Sequence, residues 1–378
     1  MMKKVIIAMD SFKGTLTARQ ACQIIAEERA RFFPDAEIVQ LPIADGGEGL
    51  VDALLGSLDG ELVWVDTVDP LGRPMRASYA MLPDGSALIE MAAAGGLTLV
   101  EENKRNPELT STYGVGLMIL DAVHRGADPI LIGLGGSATV DGGIGAATAL
   151  GMLFENGVGE AIHTATRLAE IEKIEHSAFD ELALDEKILF LSDVNNPLCG
   201  PNGAAAIFGP QKGATEEQVG RLEKGLLHLA RRIEDETGLD LVDFEGIGAA
   251  GGFALPFVAF AKAKIVSGIN FVLDSIKFDE VLAGADLVIS GEGRTDAQSA
   301  MGKAISAVAQ RASQAGVRVA VISGLLGEGA ERMYALGVSD MVQATPPDLE
   351  LADALINAES NLRNAARSFF ERIDNSDI

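Results

Sequence analysis

The chain alternates between short apolar runs and longer amphipathic segments. Residues 5–8, Val-Ile-Ile-Ala, form a continuous apolar run that is typical of a strand buried on both faces. Thr17 and Gln20 follow it with the spacing of a capping box, which marks the start of a helix. Two more strand-like runs, residues 287–290 and 319–322, each precede helical sequence. This alternation predicts a mostly parallel, doubly wound, Rossmann-like α/β domain.

The middle of the chain has a different pattern. Residues 79–82 and 86–90 flank Pro83-Asp84-Gly85, which predicts a β-hairpin. Behind Thr215, apolar residues recur every three or four positions and predict a long amphipathic helix. We therefore expect a discontinuous Rossmann-like domain, residues 1–58 and 284–378, into which a mixed α/β domain, residues 59–283, is inserted. The active site is expected in the cleft between them.

One long helix is predicted at the C-terminal end of the sequence. It begins at about Asp348, and its apolar face is expected to contain Leu355, Leu362, Phe369 and Ile373.

Charge and composition exclude several classes of function. The chain has 30 basic and 55 acidic residues, a formal net charge of −25. Such a surface repels phosphate backbones and anionic membranes, so neither nucleic acid nor membrane is expected as a partner. Two cysteines and four scattered histidines offer no zinc-binding spacing. The first apolar run stops at Asp10, too short for a signal peptide, so we expect a cytoplasmic protein, with a homodimer left open.

Glycine-rich segments with polar side chains follow the strand-like runs. The chain contains 43 glycines, and the segments that combine them with carboxylates or hydroxyls are residues 10–14, 44–49, 133–143 and 290–298. A fifth polar segment, residues 192–197, also follows a strand-like run and contains Asp193, Asn195 and Asn196 but no glycine. Ligands bind at the carboxyl ends of strands in open α/β sheets, and glycines free backbone N–H groups to bind anions. The pattern predicts a ligand that carries phosphate.

Each segment also has a purely structural interpretation. Asp10 and Asp193 are suited to cap a following helix. Arg294 and Asp296 are close enough in sequence to form an ion pair, and residues 209–213 are more typical of a turn than of a ligand site. The repetition of the same residue types after five strand-like runs favours function.

The residue types indicate phosphoryl transfer. No Walker signature is present, and abundant carboxylates with few histidines favour Mg²⁺ over zinc. Phosphoryl transfer requires positioning, charge neutralisation and a carboxylate that accepts the proton of the attacking hydroxyl. The available cations are Lys13, Lys212, Arg294 and Lys303. The residues therefore predict a Mg²⁺-dependent phosphotransferase that acts on a small polar substrate.

Five motifs occur in one order along the chain: residues 10–13, 42–49, 135–143, 208–214 and 290–294. In this order they resemble the motifs of the bacterial glycerate kinase family, and the resemblance extends from about residue 3 to about residue 370. It implies ATP-dependent phosphorylation of D-glycerate with Mg²⁺, generally to 2-phosphoglycerate, by a two-domain α/β enzyme. Val140 stands where the family usually has asparagine, so affinity or substrate preference would differ if that position contacts the ligand.

Roles for single residues follow from this resemblance. Asp193 is expected to be the general base, and Lys13 and Arg294 the catalytic cations that bind the glycerate carboxylate or the transferred phosphoryl group. The substrate-binding candidates are Asp10, Ser11, Asp45, Gly46, Gly47, Glu48, Asn195, Asn196 and Asp296. The ATP-binding candidates are Gly135, Gly136, Ser137, Thr139, Asp141, Gly142, Gly291 and Gly293, and the metal candidates are Glu292 and Asp296.

Two other functions remain open at this point. Gly133-x-Gly135-x-x-Ala138 follows a strand-like run, with Glu155 about 20 residues later, as in NAD-binding oxidoreductases. No His/Asp pair suited to hydride transfer is evident. A non-catalytic ligand sensor is the second alternative, and the carboxylates of the glycine-rich segments argue against it.

Overall fold

The computed structural model describes residues 2–44, 46, 47, 49–300 and 302–376. The chain forms two units: unit 1 comprises Met1–Asp45, Asp52–Leu58 and Ile269–Ile378, and unit 2 comprises Gly46–Val51 and Asp59–Gly268. Residues 269–283, which the sequence placed in the inserted domain, group with unit 1. Arg311 holds them there, because its guanidinium donates to Asp274 at 2.6 Å and to Asn270 at 3.0 Å.

Unit 1 contains a five-stranded, all-parallel sheet. In spatial order its strands are Val338–Gln343, Arg318–Ser323, Leu287–Gly291, Lys4–Met9 and Glu37–Gln40. Numbered along the chain, the order is 2-1-3-4-5, which is a doubly wound arrangement. The strand order reverses between Lys4–Met9 and Leu287–Gly291. The α/β class and the doubly wound sheet predicted for this part of the chain are confirmed.

Helices pack on this sheet because its strands are apolar on both faces. Val5, Ile7 and Met9 belong to the core formed with helices Ala18–Phe32 and Ala358–Ser376. Ile6 and Ala8 point to the opposite face and are also fully buried. Thr17 and Gln20 form the expected capping box. The other helices are Gly268–Ser275, Phe278–Val281, Ala304–Gln314, Leu351–Ile356, the 3₁₀ helix Ala330–Leu336, and Leu50–Leu58, which contributes residues to both units.

The prediction of one continuous C-terminal helix from about Asp348 is wrong. This segment forms two helices, Leu351–Ile356 and Ala358–Ser376, because the backbone of Asn357 leaves the helical conformation at φ −97° and ψ 15°. Leu355, which lies before the break, is 49% exposed, whereas the other three residues of the expected apolar face, Leu362, Phe369 and Ile373, are buried.

Unit 2 contains a six-stranded mixed sheet. In spatial order its strands are Lys264–Val266, Ile188–Leu191, Ile130–Gly133, Ala87–Glu90, Pro74–Met81 and Glu61–Val68. The first four strands are parallel to one another. Ala87–Glu90 pairs antiparallel with Pro74–Met81, so the hairpin predicted around residues 83–85 is confirmed, and Pro74–Met81 also pairs antiparallel with Glu61–Val68. Strands Leu153–Glu155 and Lys173–Glu175 form a separate antiparallel pair.

The long amphipathic helix of unit 2 is also confirmed. It runs over Glu216–Thr237 behind a capping box at Thr215 and buries Leu222, Leu226, Leu229 and Ile233. The other α-helices are Ala92–Gly95, Tyr113–His124, Ile144–Ala149, Ser177–Asp180, Ala204–Phe208 and Leu255–Ala261. Throughout the described part of the chain, every helix is too short or too polar to span a bilayer.

Candidate functional site

Asp193 lies where two neighbouring parallel strands of unit 2 end. Leu191 is in register with Val266, which brings the residues that follow these two strands side by side. Ser267 Oγ donates a hydrogen bond of 2.6 Å to Asp193 Oδ1. The sequence analysis did not single out Ser267, because it lies in none of the glycine-rich segments. Its position directly after Ile265 and Val266, at the end of a strand, was a usable signal. The pair places an oriented carboxylate at the edge of the sheet where ligands bind.

The two asparagines beside Asp193 have different environments. Asn195 is exposed, and Asn196 donates its Nδ2 to the carbonyl oxygen of Asn202 at 2.7 Å. The Asn196 amide therefore stabilises its own loop. The Asp193 carboxylate, in contrast, accepts a hydrogen bond from Ser267, which follows the neighbouring strand.

Glycines allow two backbone loops to meet at the same strand ends. A Cβ atom on Gly135 would lie 2.3 Å from Gly47 Cα, and a Cβ on Gly133 would lie 2.5 Å from the Gly46 carbonyl oxygen. Gly46 itself has a φ of +88°, a conformation that favours glycine. The structure thus brings together these two glycine-rich segments. Their neighbours Asp45 and Glu48, predicted to bind substrate, lie outside the described residues.

Glu90 is a further carboxylate at this edge that the sequence did not single out. It ends the strand Ala87–Glu90, and its Oε1 accepts a hydrogen bond of 2.7 Å from the backbone N–H of Val51. Its position at the end of a predicted strand was a usable signal, but no glycine accompanies it.

Lys212 is buried beneath the glycine-rich loop that follows Gly133. Its Nζ donates to Ser137 Oγ at 2.7 Å and to the Thr139 carbonyl oxygen at 2.8 Å. Burial lowers the pKa of Lys212 to about 7, and the charge of Asp141 acts in the opposite direction. Pro210–Lys212 forms a 3₁₀ turn, as expected, but its lysine side chain reaches 75 residues back along the chain to support the loop.

Asp141 anchors the far end of the same loop. Its Oδ2 accepts hydrogen bonds of 2.8 Å from both the N–H and the hydroxyl of Thr112, and its Oδ1 accepts from Gly143 N–H at 3.1 Å. Burial raises the pKa of Asp141. Val140 is fully buried among apolar side chains of the unit 2 core.

Three more residues of this loop were predicted to bind ATP. Gly136 and Gly142 have φ of +73° and +62°, and Gly136 is exposed. The Oγ1 of Thr139 is buried and has no hydrogen-bond partner among the described residues.

Six predicted site residues of unit 1 line one cavity of about 360 Å³, here called the unit 1 cavity. They are Asp10, Ser11, Lys13, Glu292, Gly293 and Arg294. Lys303, named above as an available cation, lines the same cavity. Gly291 does not: it is buried in its strand, where a Cβ atom would lie 1.9 Å from the Ile322 carbonyl oxygen. Three cations and two carboxylates thus meet at one edge of the sheet.

Hydrogen bonds orient the charged groups of the unit 1 cavity. Glu292 Oε1 accepts from Ser299 Oγ at 2.5 Å and from Thr295 Oγ1 at 3.3 Å. Arg294 Nε lies 3.4 Å from Asp296 Oδ2, which is the ion pair considered as a structural alternative. Asp296 is not among the residues that line the cavity.

Within residues 2–44, 46, 47, 49–300 and 302–376, no group of three His, Cys, Asp or Glu side chains is disposed to hold a metal ion. Mg²⁺ that arrives with a nucleotide needs only one or two carboxylates, since phosphate oxygens and water complete its shell. Asp10 and Glu292, which both line the unit 1 cavity, therefore fit a Mg²⁺–nucleotide complex.

The geometry does not match the dinucleotide-binding alternative. That fingerprint requires a helix to open at its glycines. After Gly133, the next helix is Ile144–Ala149, and the intervening loop packs against Gly47. Glu155 lies on a short strand and forms an ion pair with Lys173 at 3.4 Å.

Comparisons with known proteins point to one family. The profile of the Glycerate kinase family matches residues 5–374. The glycerate kinase of Halalkalibacterium halodurans is 42% identical over 369 residues, which cover 97% of each chain. The glycerate 2-kinase of Escherichia coli is 39% identical over 367 residues, covering 97% of this chain and 96% of its own. The crystal structure of a candidate glycerate kinase 2 from Salmonella typhimurium LT2 has a TM-score of 0.85 at 38% identity and covers 100% of both chains.

Proposed function

The chain belongs to the glycerate kinase family, and on that premise we propose that it transfers the γ-phosphoryl group of ATP to D-glycerate. The proposed product is 2-phosphoglycerate, in keeping with the similarity to the glycerate 2-kinase of Escherichia coli. The enzyme is a kinase, so ATP is the expected phosphate donor.

The position of the Asp193 carboxylate gives this proposal its main support. It follows a parallel strand, is half-buried, and receives the hydrogen bond from Ser267 at 2.6 Å. Asp193 accepts the proton of the glycerate hydroxyl as that oxygen attacks phosphorus, and Ser267 keeps the carboxylate oriented. A proton acceptor of this kind is what an alcohol-phosphorylating kinase requires beyond charge neutralisation.

Lys13 and Arg294 bind anionic groups of the substrates. Both line the unit 1 cavity, and both are exposed enough to reach a ligand. A guanidinium recognises carboxylate or phosphate with two parallel hydrogen bonds, and an ammonium acts as a compact charge. Ser11 and Gly293 line the same cavity and reach the ligand with shorter groups than the long side chains of Lys13 and Arg294.

The glycine-rich loop of unit 2 keeps its proposed role in anion binding. Gly136 is exposed with a positive φ, as expected where backbone approaches a ligand closely. Gly135, Ser137, Asp141 and Gly142 shape this loop mainly through contacts with other segments of unit 2.

Mg²⁺ is proposed as the metal. Asp10 and Glu292 would hold it together with the nucleotide phosphates, and the bound ion would neutralise phosphate charge. Asp296 was expected as a ligand beside Glu292, but it pairs with Arg294, so we assign Asp10 in its place.

Phosphorus NMR of a reaction mixture tests the proposal directly. ADP and a new phosphomonoester signal should appear only when D-glycerate, ATP and Mg²⁺ are all present. The coupling of that signal to carbon-bound protons shows whether the 2- or the 3-hydroxyl is phosphorylated. ADP release that does not depend on glycerate would refute the proposal.

A further inference from the structure

The unit 1 cavity extends across the ends of four adjacent parallel strands. Residues that line it follow Lys4–Met9, Leu287–Gly291, Arg318–Ser323 and Val338–Gln343. Neighbouring strands lie about 4.8 Å apart, so these four ends span roughly 14 Å. The cavity crosses the point where the strand order reverses, which is where doubly wound sheets bind nucleotides. Its shape suits an elongated ligand.

The two ends of the cavity differ in chemistry. The charged residues lie after the first two of these strands and at the start of the helix Ala304–Gln314, where Lys303 is the N-cap. The other end is lined by Leu325, Ala344, Ala354, Leu355 and Ala358. Leu355 is 49% exposed there, an apolar surface on which a flat, weakly polar ring can pack. A ligand with an anionic end and an aromatic end matches this division.

Asn361 supplies the specific polar group at the apolar end. It lines the cavity, is 9% exposed, and its Nδ2 has no hydrogen-bond partner among the described residues. A buried amide donor without an acceptor destabilises a protein, so its persistence calls for a partner that a ligand supplies.

We propose that the unit 1 cavity binds the nucleotide with its adenine ring at the apolar end, where Asn361 recognises the base. This inference rests on the proposed use of ATP. A side-chain amide pairs with adenine through two hydrogen bonds: it donates to N7 and accepts from the N6 amino group. Guanine presents acceptors at both N7 and O6, so the amide oxygen would face an acceptor. Lys13, Arg294 and Lys303 then lie at the phosphate end.

Calorimetric titration with Mg²⁺–ADP and Mg²⁺–GDP tests the assignment. The wild-type enzyme should prefer ADP. Asn361→Leu, which keeps the side-chain size and removes the amide, should weaken ADP binding about 10- to 100-fold and bring the two affinities close together. Asn364→Ala, an exposed asparagine on the same helix, is the matched control and should bind both nucleotides as the wild type does.

The outcomes separate this inference from the proposed function, because nucleotide binding is measured without glycerate. Asn361→Leu with an unchanged ADP-to-GDP ratio overturns the base assignment, even if glycerate is phosphorylated. An Asn361-dependent preference for ADP supports it, even if glycerate is not the substrate. If Asn361→Leu does not fold, Leu355→Ser carries the test: weaker ADP binding supports the assignment, and unchanged binding overturns it.

Discussion

Ser267 donates its hydroxyl hydrogen to Oδ1 of Asp193 over 2.6 Å, although 74 residues separate them in the chain. The contact exists because strands Ile188–Leu191 and Lys264–Val266 run parallel and end together. It orients the carboxylate to which we assign the role of general base.

Replacing Asp193 removes that base. Asp193→Asn should lower kcat by about 10²- to 10⁴-fold, because an amide cannot accept the hydroxyl proton. Affinity for Mg²⁺–ADP should stay near the wild-type value, since the substitution is isosteric. Asp185→Asn is the control, as Asp185 forms an exposed ion pair with Lys262. Wild-type turnover by Asp193→Asn, in an assay of ADP formation, would exclude Asp193 as the base.

Lys212 makes stability depend on pH. Burial lowers its pKa from 10.5 to about 7 in the folded protein. Between these values the unfolded chain binds more protons than the folded chain, so this residue's contribution to stability rises as pH rises from about 7. Urea unfolding should therefore show a growing stability difference between wild type and Lys212→Met from pH 7 to pH 9.

The same variant also leaves polar atoms unpaired. Without the Lys212 amino group, Ser137 Oγ and the Thr139 carbonyl oxygen each lose a buried hydrogen bond, which costs about 1–3 kcal/mol. Lys224→Met, an exposed lysine on the helix Glu216–Thr237, should unfold at the wild-type urea concentration. A pH-independent difference for Lys212→Met would contradict the lowered pKa.

Gly135 has no room for a side chain. In Gly135→Ala the new Cβ would meet Gly47 Cα at 2.3 Å, and neither backbone segment can yield easily. We expect a loss of about 1–3 kcal/mol in the free energy of unfolding and a lower kcat/KM. Gly157→Ala, whose Cβ would lie 3.8 Å from the nearest atom, should be neutral in both measurements. Equal stability of the two variants would rule out the close approach.

Glu292 is expected to set the Mg²⁺ requirement. Glu292→Gln keeps the size of the side chain but removes a negative ligand from the unit 1 cavity. The Mg²⁺ concentration that gives half-maximal activity should rise about tenfold at fixed ATP. Glu331→Gln, an exposed residue of unit 1, should leave the magnesium titration unchanged. An unshifted titration for Glu292→Gln would place the metal elsewhere.

Local patterns in the sequence determined the secondary structure and the edges of the sheets where the site lies. Thr17 and Thr215 start their helices because a cap is completed within four residues, and the run of residues 5–8 is a strand because it is apolar on both faces. The glycine-rich segments are located in the same way, since each follows a strand directly or within a few residues. The order of these motifs along the chain also indicates the family.

Which side chains come into contact depends on how distant parts of the chain pack. Lys212 contacts Ser137, 75 residues away in the chain, and Ser267 contacts Asp193, 74 residues away. Asn361, on the C-terminal helix Ala358–Ser376, lines the unit 1 cavity together with residues that follow the strands. No local pattern indicates these pairings, because the packing of the chain, and not the sequence neighbours, determines which hydrogen-bond partners meet. The break at Asn357 could not be predicted from the sequence either, because apolar residues keep their helical spacing on both sides of it. The structure shows that Leu355, just before the break, is half-exposed and lines the unit 1 cavity.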